Sequence, residues 1–200
     1  MKSKKWILLA TSLTAMVLMA ACAQSTTTSN TNATTNSATT TSTKTNQSSY
    51  FTEKDNDTSY DESTASKIEL SGSSANVFGD GVTVSGSTVT ITKSGTYVIS
   101  GQSEGVQIKV KADESAEVHL VLKGATMTNT NAAISATSAG HVYLTLAEGT
   151  TNSLSDSSSN SDEKADAALF SKVDLTINGK GTLNVDGRKN NGIKANDTLH

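Results

Sequence analysis

The chain has a single cysteine, Cys22, among its 200 residues. A lone cysteine excludes an internal disulfide, and it also excludes a cluster of thiolates around a metal ion. An exported domain without disulfides depends on a large hydrophobic core, on bound metal ions, or on both. The core and bound metal are therefore the predicted sources of stability for the folded part of this chain.

Basic residues are also scarce, and the formal net charge of the chain is −3 at pH 7. Removal of Lys2, Lys4 and Lys5, which lie in a segment predicted to be cleaved, changes this charge to −6. A mildly acidic protein is poorly suited to nucleic acid or to an anionic membrane surface as its main partner. Its acidic and amide side chains suit calcium better than phosphate.

Motifs for common catalytic chemistry are missing from the sequence. We find no Ser-His-Asp order, no paired-carboxylate spacing and no phosphate loop. The only tryptophan, Trp6, lies in the predicted signal, so the mature chain has only tyrosine and phenylalanine for stacking on sugar rings. Its folded part also lacks the 3.6-residue apolar period of helices.

Residues 1–21 are predicted to be a secretory signal and not part of the fold. Three lysines form its positive start, and an apolar run that is short for a membrane-spanning helix follows. The run ends in Met19-Ala20-Ala21-Cys22, which resembles the lipobox of bacterial lipoproteins, where the cysteine is diacylated. Two acyl chains give stable anchoring. We therefore expect lipidation of Cys22 and attachment to the extracellular face of the cell membrane.

Residues 22–64 are predicted to be a disordered tether behind the lipidated cysteine. From Ser25 to about Ser49 the composition is almost entirely Ser, Thr, Asn, Gln and Ala, which cannot bury enough apolar surface to offset chain entropy. Residues 50–64 remain polar and acidic, so we place the domain boundary near Ala65.

Short strands with alternating apolar residues recur at a fixed interval in the folded part. Leu120 and Leu144 are separated by the same interval as Leu175 and Leu199. This period of about 24 residues lies in the range of repeat architectures. The middle interval, from Leu144 to Leu175, is 31 residues, which predicts an insertion in that coil. The extra residues fall in 155–166, a polar stretch typical of a surface loop.

A second strand series runs in step with the first, at Ile134, Leu169 and Ile193, and its last interval equals the period of the first series. Two series at the same period, with glycine and asparagine corners, predict an all-β fold made of the coils of a parallel β-helix. Its rungs would stand about 4.8 Å apart. The alternative is an antiparallel β-sandwich, which also has short strands between turns.

The pattern divides the folded part into two regions. Residues 65–115 alternate well but lack the regular spacing of the coils, so they are predicted to form an N-terminal β cap and the first coil. Residues 116–200 are predicted to form the coils. Since 197–200 begin another coil, we expect the sequence to be a fragment of a longer protein.

Three runs in the folded part resemble the calcium-binding carbohydrate-binding β-helix domain of clostridial cellulose degraders. They are Gly95-Thr96-Tyr97-Val98-Ile99-Ser100-Gly101, Leu144-x-Leu146-x-x-Gly149-Thr150-x-Asn152, and Asp166-Ala167-Ala168-Leu169-Phe170-Ser171 with its continuation to Leu183. The resemblance covers about residues 65–200. It implies a right-handed parallel β-helix, similar in shape to pectate lyases, that binds calcium and plant-type polysaccharides such as cellulose or polygalacturonate. The family is regarded as a group of binding proteins and not of established lyases.

Candidate calcium ligands lie where stacked coils would bring oxygen atoms together, since calcium takes about six to eight oxygen ligands. Asp166 and Asn190 are one period apart, and Asp174 and Asp197 begin successive first strands. Asp156 lies at the start of the inserted loop. The alternative is that these are solvated corner residues.

Candidate carbohydrate-binding residues are His119 and Tyr143, which are one period apart and point outward, and Arg188, on a corner close to the proposed acidic cluster. The sequence therefore predicts a surface lipoprotein that binds polysaccharide and is not an enzyme. Two alternatives stay open. One is a polysaccharide lyase on the same scaffold, with calcium stabilising the enolate and a basic side chain such as Arg188 as base. The other is a structural adhesin or spacer that ignores glycans.

Overall fold

The structure of the protein is a computed structural model, and it describes residues 50–200. The predicted signal and Cys22 lie outside the described residues. The described part contains one 3₁₀ turn, Lys54–Asn56, and fourteen strands. The strands are β1 (Ser66–Gly72), β2 (Ser74–Phe78), β3 (Val82–Ser85), β4 (Thr88–Ile91), β5 (Gly95–Glu104), β6 (Gln107–Lys111), β7 (Glu117–Thr128), β8 (Ile134–Ser138), β9 (His141–Leu146), β10 (Thr151–Ser155), β11 (Ala167–Ser171), β12 (Leu175–Gly179), β13 (Thr182–Asp186) and β14 (Asn191–Ala195).

The strands form two mixed sheets, and the chain passes repeatedly from one sheet to the other. The first sheet has the order β12-β9-β7-β5-β1-β2, and β10 also joins it by pairing with β7 and β13. The second sheet has the order β14-β11-β8-β6-β4-β3. The pairs β1–β2 and β3–β4 are antiparallel, whereas the later strands pair in parallel with strands one coil away. The fold is therefore all-β.

The parallel pairs reproduce most of the predicted period. Leu120 pairs with Leu144, and a separate bridge joins Leu175 to Leu199. In the middle coil the structure pairs Leu144 with Ile177, so the predicted match of Leu144 with Leu175 is wrong by two residues. Side chains alternate with period two, so a shift by two keeps the same residues facing the core. The alternation alone therefore does not distinguish the two registers.

The core lies between the inner faces of the two sheets. Along the first sheet Ile68 pairs with Ile99 and Ile99 with Leu122, while Leu120 pairs with Leu144. All five side chains are fully buried. Burying one such side chain contributes about 1.5–3 kcal/mol. Each coil therefore depends on the coils beside it to cover its apolar residues.

The antiparallel strands β2 and β3 form the outer edges of the two sheets at their N-terminal end. They lie in the region where the sequence predicts the cap. Their side chains are mostly exposed or half-buried, and Phe78 is exposed at the end of β2. Edge strands of this kind close off the stack of parallel strands behind them.

Glycine is required at one corner that the sequence did not single out. Gly179 has a φ of +103°, and a Cβ there would collide with the backbone of Leu146 in the neighbouring coil. Gly181, the next glycine, does not have a positive φ, but a Cβ there would also collide, with the carbonyl oxygen of Ala147. Both glycines therefore lie where two backbones approach closely, and only Gly179 also needs a positive φ.

Residues 50–64 lie against the outer face of the first sheet, which points away from the core, and we call them the strap. Tyr60 packs on Val98 and Val121, two outward-facing residues of β5 and β7. The packed region therefore begins before the boundary predicted near Ala65, because the strap covers a sheet that is built from distant parts of the chain. No helix long and apolar enough to span a membrane occurs within residues 50–200.

Candidate functional site

Asp55 fixes the strap to the outer face of β12. Its carboxylate accepts hydrogen bonds from Thr176 Oγ1 at 2.6 Å and from the Thr52 N–H at 2.7 Å. Asn178 Nδ2 donates to the carbonyls of Asp55 and Asp57 at 3.0 and 3.1 Å. The Asp55 side chain is buried, and burial raises the pKa of its carboxyl, but the hydrogen bonds from Thr176 and Thr52 outweigh burial and hold the pKa well below its usual range.

The two side chains predicted to stack, His119 and Tyr143, lie opposite each other on β7 and β9. Thr96 on β5 and Thr176 on β12 extend this row of outward-facing residues. Tyr143 is nevertheless only 8 % exposed. The strap covers it, and Lys54 Nζ lies 5.2 Å from the centroid of the Tyr143 ring.

A cleft of about 420 Å³ opens between the strap and the first sheet, and we call it the first cleft. Lys54, Asp57 and Ser59 of the strap form one wall. The sheet contributes Thr96, Glu117, His119 and Tyr143, with Ser94, Gly95 and Ser115 at the rim. The predicted pair His119 and Tyr143 therefore reaches solvent through this cleft and not as an open platform.

The charges in the first cleft are of both signs. Lys54 forms an ion pair with Glu117, and the hydrogen bond to Glu117 is the main reason that the pKa of the Lys54 ammonium is raised. Burial lowers the pKa of His119, against the attraction of Asp57. His119 Nε2 lies 2.7 Å from Thr145 Oγ1. The His119 imidazole, an ammonium, two carboxylates and the Tyr143 ring therefore face one space.

His141 supports the aromatic side of this row. Its ring stacks on Tyr143 with centroids 4.1 Å apart and an angle of 10° between the planes. His141 Nε2 also lies 2.9 Å from Thr176 Oγ1. Burial lowers the pKa of His141, while the carboxylates of Asp174 and Asp55 act in the opposite direction.

Arg188, the third predicted carbohydrate-binding residue, does not line the first cleft. Its guanidinium Nε donates to the Asp186 carboxylate at 2.8 Å, and its backbone N–H donates to Asp156 Oδ1 at 2.6 Å. The predicted proximity of Arg188 to the acidic loop is present. Any contact of Arg188 with glycan would therefore lie outside the first cleft, which His119 and Tyr143 line.

The five predicted calcium ligands lie in three places and do not form one site. Asp156 is fully buried, and its carboxylate accepts from Asn160 Nδ2 and from the backbone N–H groups of Arg188 and Lys189. These three N–H donors occupy most of the acceptor positions of the carboxylate, and their hydrogens point at the place that a cation would take. Asp156 therefore does not fit a calcium ligand in this arrangement.

Asp166 and Asn190 are neighbours, as their spacing predicts, and Asn190 Nδ2 donates to Asp166 at 2.7 Å. Lys194 Nζ lies 2.6 Å from the other carboxylate oxygen of Asp166. The bond from Lys194, followed by that from Asn190, lowers the pKa of Asp166 to about 2. A positive ammonium at this distance opposes a cation at the same carboxylate, so this pair does not fit calcium either.

Asp174 and Asp197 do share a corner. Both carboxylates accept from the Thr198 N–H, each at 3.1 Å. The two carboxylates, which are possible metal ligands, therefore converge on one backbone N–H. Across residues 50–200, however, no group of three or more His, Cys, Asp or Glu side chains is close enough to hold a metal ion.

Sequence reasoning missed the strap residues of this site, Lys54, Asp55 and Asp57. They lie in a polar segment with no strand period, and their partners on β7 and β12 are distant in the chain. The only local signal is the short Thr52–Asp55 hydrogen-bonded turn. That turn does not reveal which surface the segment covers.

The chain is similar to known proteins in both sequence and structure. The family described as "Carbohydrate-binding domain-containing protein" matches residues 85–200. A protein of that description from Acetivibrio thermocellus is 40% identical over 126 residues, which are 60% of this chain and 44% of that protein.

A solved structure is also similar, that of the polysaccharide lyase-like protein from C. thermocellum in its gadolinium derivative. The TM-score is 0.65 at 37% sequence identity, and the match covers 68% of this chain and 57% of that one. This chain thus spans about half the length of the relatives that it matches.

Proposed function

We propose that this chain, which belongs to the family of carbohydrate-binding domain-containing proteins, binds polysaccharide in the first cleft. The observation that carries the proposal is the pairing of His119 and Tyr143, on neighbouring parallel strands, inside a cleft with hydrogen-bonding walls. Carbohydrate sites combine an aromatic ring, which packs on the apolar face of a sugar, with a few fixed polar groups.

The polar groups of the first cleft suit sugar hydroxyls. Carboxylates such as Asp57 and Glu117 accept hydrogen bonds from hydroxyl groups, and Lys54 donates. Hydrogen bonds to charged groups contribute about 1.5–3 kcal/mol each. Cellulose and an acidic, pectin-like glycan are the two ligands that we propose, as the family resemblance implies.

We propose that the alternation between two sheets is that of a right-handed parallel β-helix with about 24 residues per coil. The parallel pairing of Leu120 with Leu144 and of Leu169 with Ile193 supports this architecture. The antiparallel strands β2 and β3 would be its N-terminal cap.

The proposed location is the outer surface of a bacterial cell, with lipidated Cys22 as the anchor. The support is the Met19-Ala20-Ala21-Cys22 run and the basic start of the chain. Mass spectrometry of the membrane fraction tests it, because diacylation adds mass at Cys22 and Cys22→Ser would release the protein to the medium.

We propose calcium binding at the corner of Asp174 and Asp197 only. The convergence of two carboxylates on the Thr198 N–H supports it, since calcium prefers several oxygen ligands. Calorimetric titration with calcium tests it, with Asp174→Asn as the variant and Asp113→Asn, an exposed carboxylate elsewhere, as the control. Equal calcium binding by the parent chain, Asp174→Asn and Asp113→Asn would show that calcium does not bind at the corner of Asp174 and Asp197.

Polysaccharide binding is tested by co-sedimentation with insoluble cellulose and by binding to polygalacturonate, with calcium and then with chelator. His119→Gln and Glu117→Gln are expected to weaken binding about tenfold or more, because the first removes the imidazole ring and the second removes the charge of a hydrogen-bonding carboxylate. Lys172→Gln, which changes an exposed residue outside the cleft, is the matched control. Unchanged binding by both cleft variants would show that the polysaccharide site lies outside the first cleft.

A polysaccharide lyase is the second candidate, and one observation favours it. His119 faces the cleft, and burial lowers its pKa, which favours the neutral imidazole that proton abstraction needs. Formation of an unsaturated, ultraviolet-absorbing product from polygalacturonate tests this activity. A protein that neither cleaves nor binds any glycan would fit the remaining candidate, a structural adhesin or spacer.

A further inference from the structure

The strap has a cleft on each of its two sides. A second cleft of about 330 Å³ lies between the strap residues Thr58 and Tyr60 and the first sheet. Its sheet wall includes Lys123, Thr145 and Lys180.

Consecutive strap residues alternate between the two clefts. Asp57 and Ser59 line the first cleft, whereas Thr58 and Tyr60 line the second. Side chains of an extended chain point alternately to opposite sides. The strap therefore passes between the clefts as a narrow partition and does not lie over a single pocket.

Both clefts lie on the same strands. On β9, Tyr143 borders the first cleft and Thr145 borders the second. On β7, Glu117 and His119 border the first cleft, and Lys123, further along the strand, borders the second. The outward face of these strands is thus continuous beneath the strap.

From this geometry we propose that the two clefts are the ends of one polysaccharide-binding groove, and that the strap occupies its middle until it is displaced. This inference rests on the proposed function. The strap already uses the hydrogen-bonding groups that a glycan would need, because Thr176 and Asn178 donate to its carboxylate and carbonyl oxygens. Sugar hydroxyl oxygens can accept the same hydrogen bonds one for one.

The contacts of the strap allow it to leave without unfolding the sheets. Apart from the Asp55 cluster and Tyr60, the contacts come from exposed or half-exposed side chains. Two are ion pairs, Lys54 with Glu117 and Glu62 with Lys123, and such pairs contribute little. The exposed rings of Tyr50 and Phe51 pack against His200, with centroids 4.9 and 5.4 Å apart. The sheets beneath are held by continuous parallel ladders and a buried core. Segments with few buried contacts open at lower free energy than the core.

Thiol labelling separates opening of the strap from unfolding of the domain. Thr145 and Leu144 are adjacent on β9, and both are almost fully buried, but Thr145 faces the strap and Leu144 faces the core. In a chain that carries Cys22→Ser, Thr145→Cys and Leu144→Cys each supply one thiol. We expect Thr145→Cys to react at least about tenfold faster with a thiol reagent, because opening of the strap exposes it and only unfolding exposes Leu144→Cys.

Variants that weaken the strap sharpen this test. Asp55→Ala, and separately Thr176→Val, should raise the labelling rate of Thr145→Cys about tenfold while leaving that of Leu144→Cys within about twofold. Equal labelling rates at the two positions, in the parent chain and in both variants, would overturn the proposal, since the strap would then open only with the whole domain.

Glycan binding distinguishes failure of this inference from failure of the proposed function. Cello-oligosaccharides and oligogalacturonides are the probes, and Asp55→Ala should bind one of them several-fold more tightly than the parent chain, because no strap has to be displaced. Binding by the parent chain that Asp55→Ala leaves unchanged or weakens would refute the groove and keep the first cleft as the site. Absence of binding by both proteins would refute the proposed function and the groove together.

Discussion

Replacing Asn152 should destabilise the protein more than replacing any exposed asparagine at a corner. Asn152 is fully buried at the start of β10. Its Oδ1 accepts from the N–H groups of Gly124 and Ala125, both at 2.9 Å, in the preceding coil. Its Nδ2 donates to the carbonyl of Thr182 in the following coil at 3.2 Å. One side chain therefore joins three successive coils.

The magnitude follows from the groups that Asn152→Ala leaves without partners. The variant removes the acceptor for two backbone N–H groups and the donor for one carbonyl, and each unsatisfied buried group costs about 1–3 kcal/mol. Because the corner is only partly closed to water, we expect a loss of about 2–5 kcal/mol in the free energy of unfolding.

Urea denaturation followed by circular dichroism measures this loss, provided that the unfolding remains two-state. Asn190→Ala is the matched control, since Asn190 is an exposed corner asparagine with a single side-chain bond, to Asp166, and should cost less than about 1 kcal/mol. Equal losses for the two variants would refute the reasoning that Asn152 links the coils.

Three further predictions concern the backbone, the core and the histidines. Gly179→Ala should cost about 1–3 kcal/mol more in the free energy of unfolding than Gly149→Ala, because both have positive φ but only Gly179 approaches another backbone; thermal melting of both variants checks this. Tyr97→Phe should cost about 1 kcal/mol in a urea titration, because it removes the bond from the Tyr97 hydroxyl to a backbone carbonyl at 2.8 Å. Burial lowers the pKa values of His119 and His141, so their contribution to stability is present above the unfolded value of about 6.5 and should fall as the pH drops below it. Urea titrations between about pH 7 and pH 5 should show this loss of stability. The double variant His119→Gln/His141→Gln should lose less stability over the same pH range. A loss of the same size in the double variant would contradict the prediction.

The period of the coils could be read from the sequence because it depends on buried apolar residues. Leu120 and Leu144 pair as their spacing predicts. The register of the middle coil could not be read in the same way, since matching Leu144 to Leu175 or to Ile177 leaves the same residues facing inward. Backbone pairing decides it in favour of Ile177.

The candidate site was predictable only in part. The repeat spacing predicts that His119 and Tyr143 lie side by side. The strap that covers them has no apolar period, so its position could not be predicted. Asp55 is buried because Thr176 and Asn178 bind it and its backbone, and those partners are more than a hundred residues away in sequence. The predicted calcium ligands failed to converge for a related reason, since Asp156 and Asp166 are already bound by N–H donors.

The most direct test of glycan binding in the first cleft is the NMR signal of the His119 imidazole during a titration with cello-oligosaccharide and with oligogalacturonide. The chain has three histidines, so His119→Gln assigns the signal without a full assignment of the spectrum. If the first cleft binds glycan, one of the two glycans shifts the His119 signal in a saturable way, with the same affinity as in co-sedimentation. Saturable binding that leaves the His119 signal in place would contradict this prediction and would put the site outside the cleft.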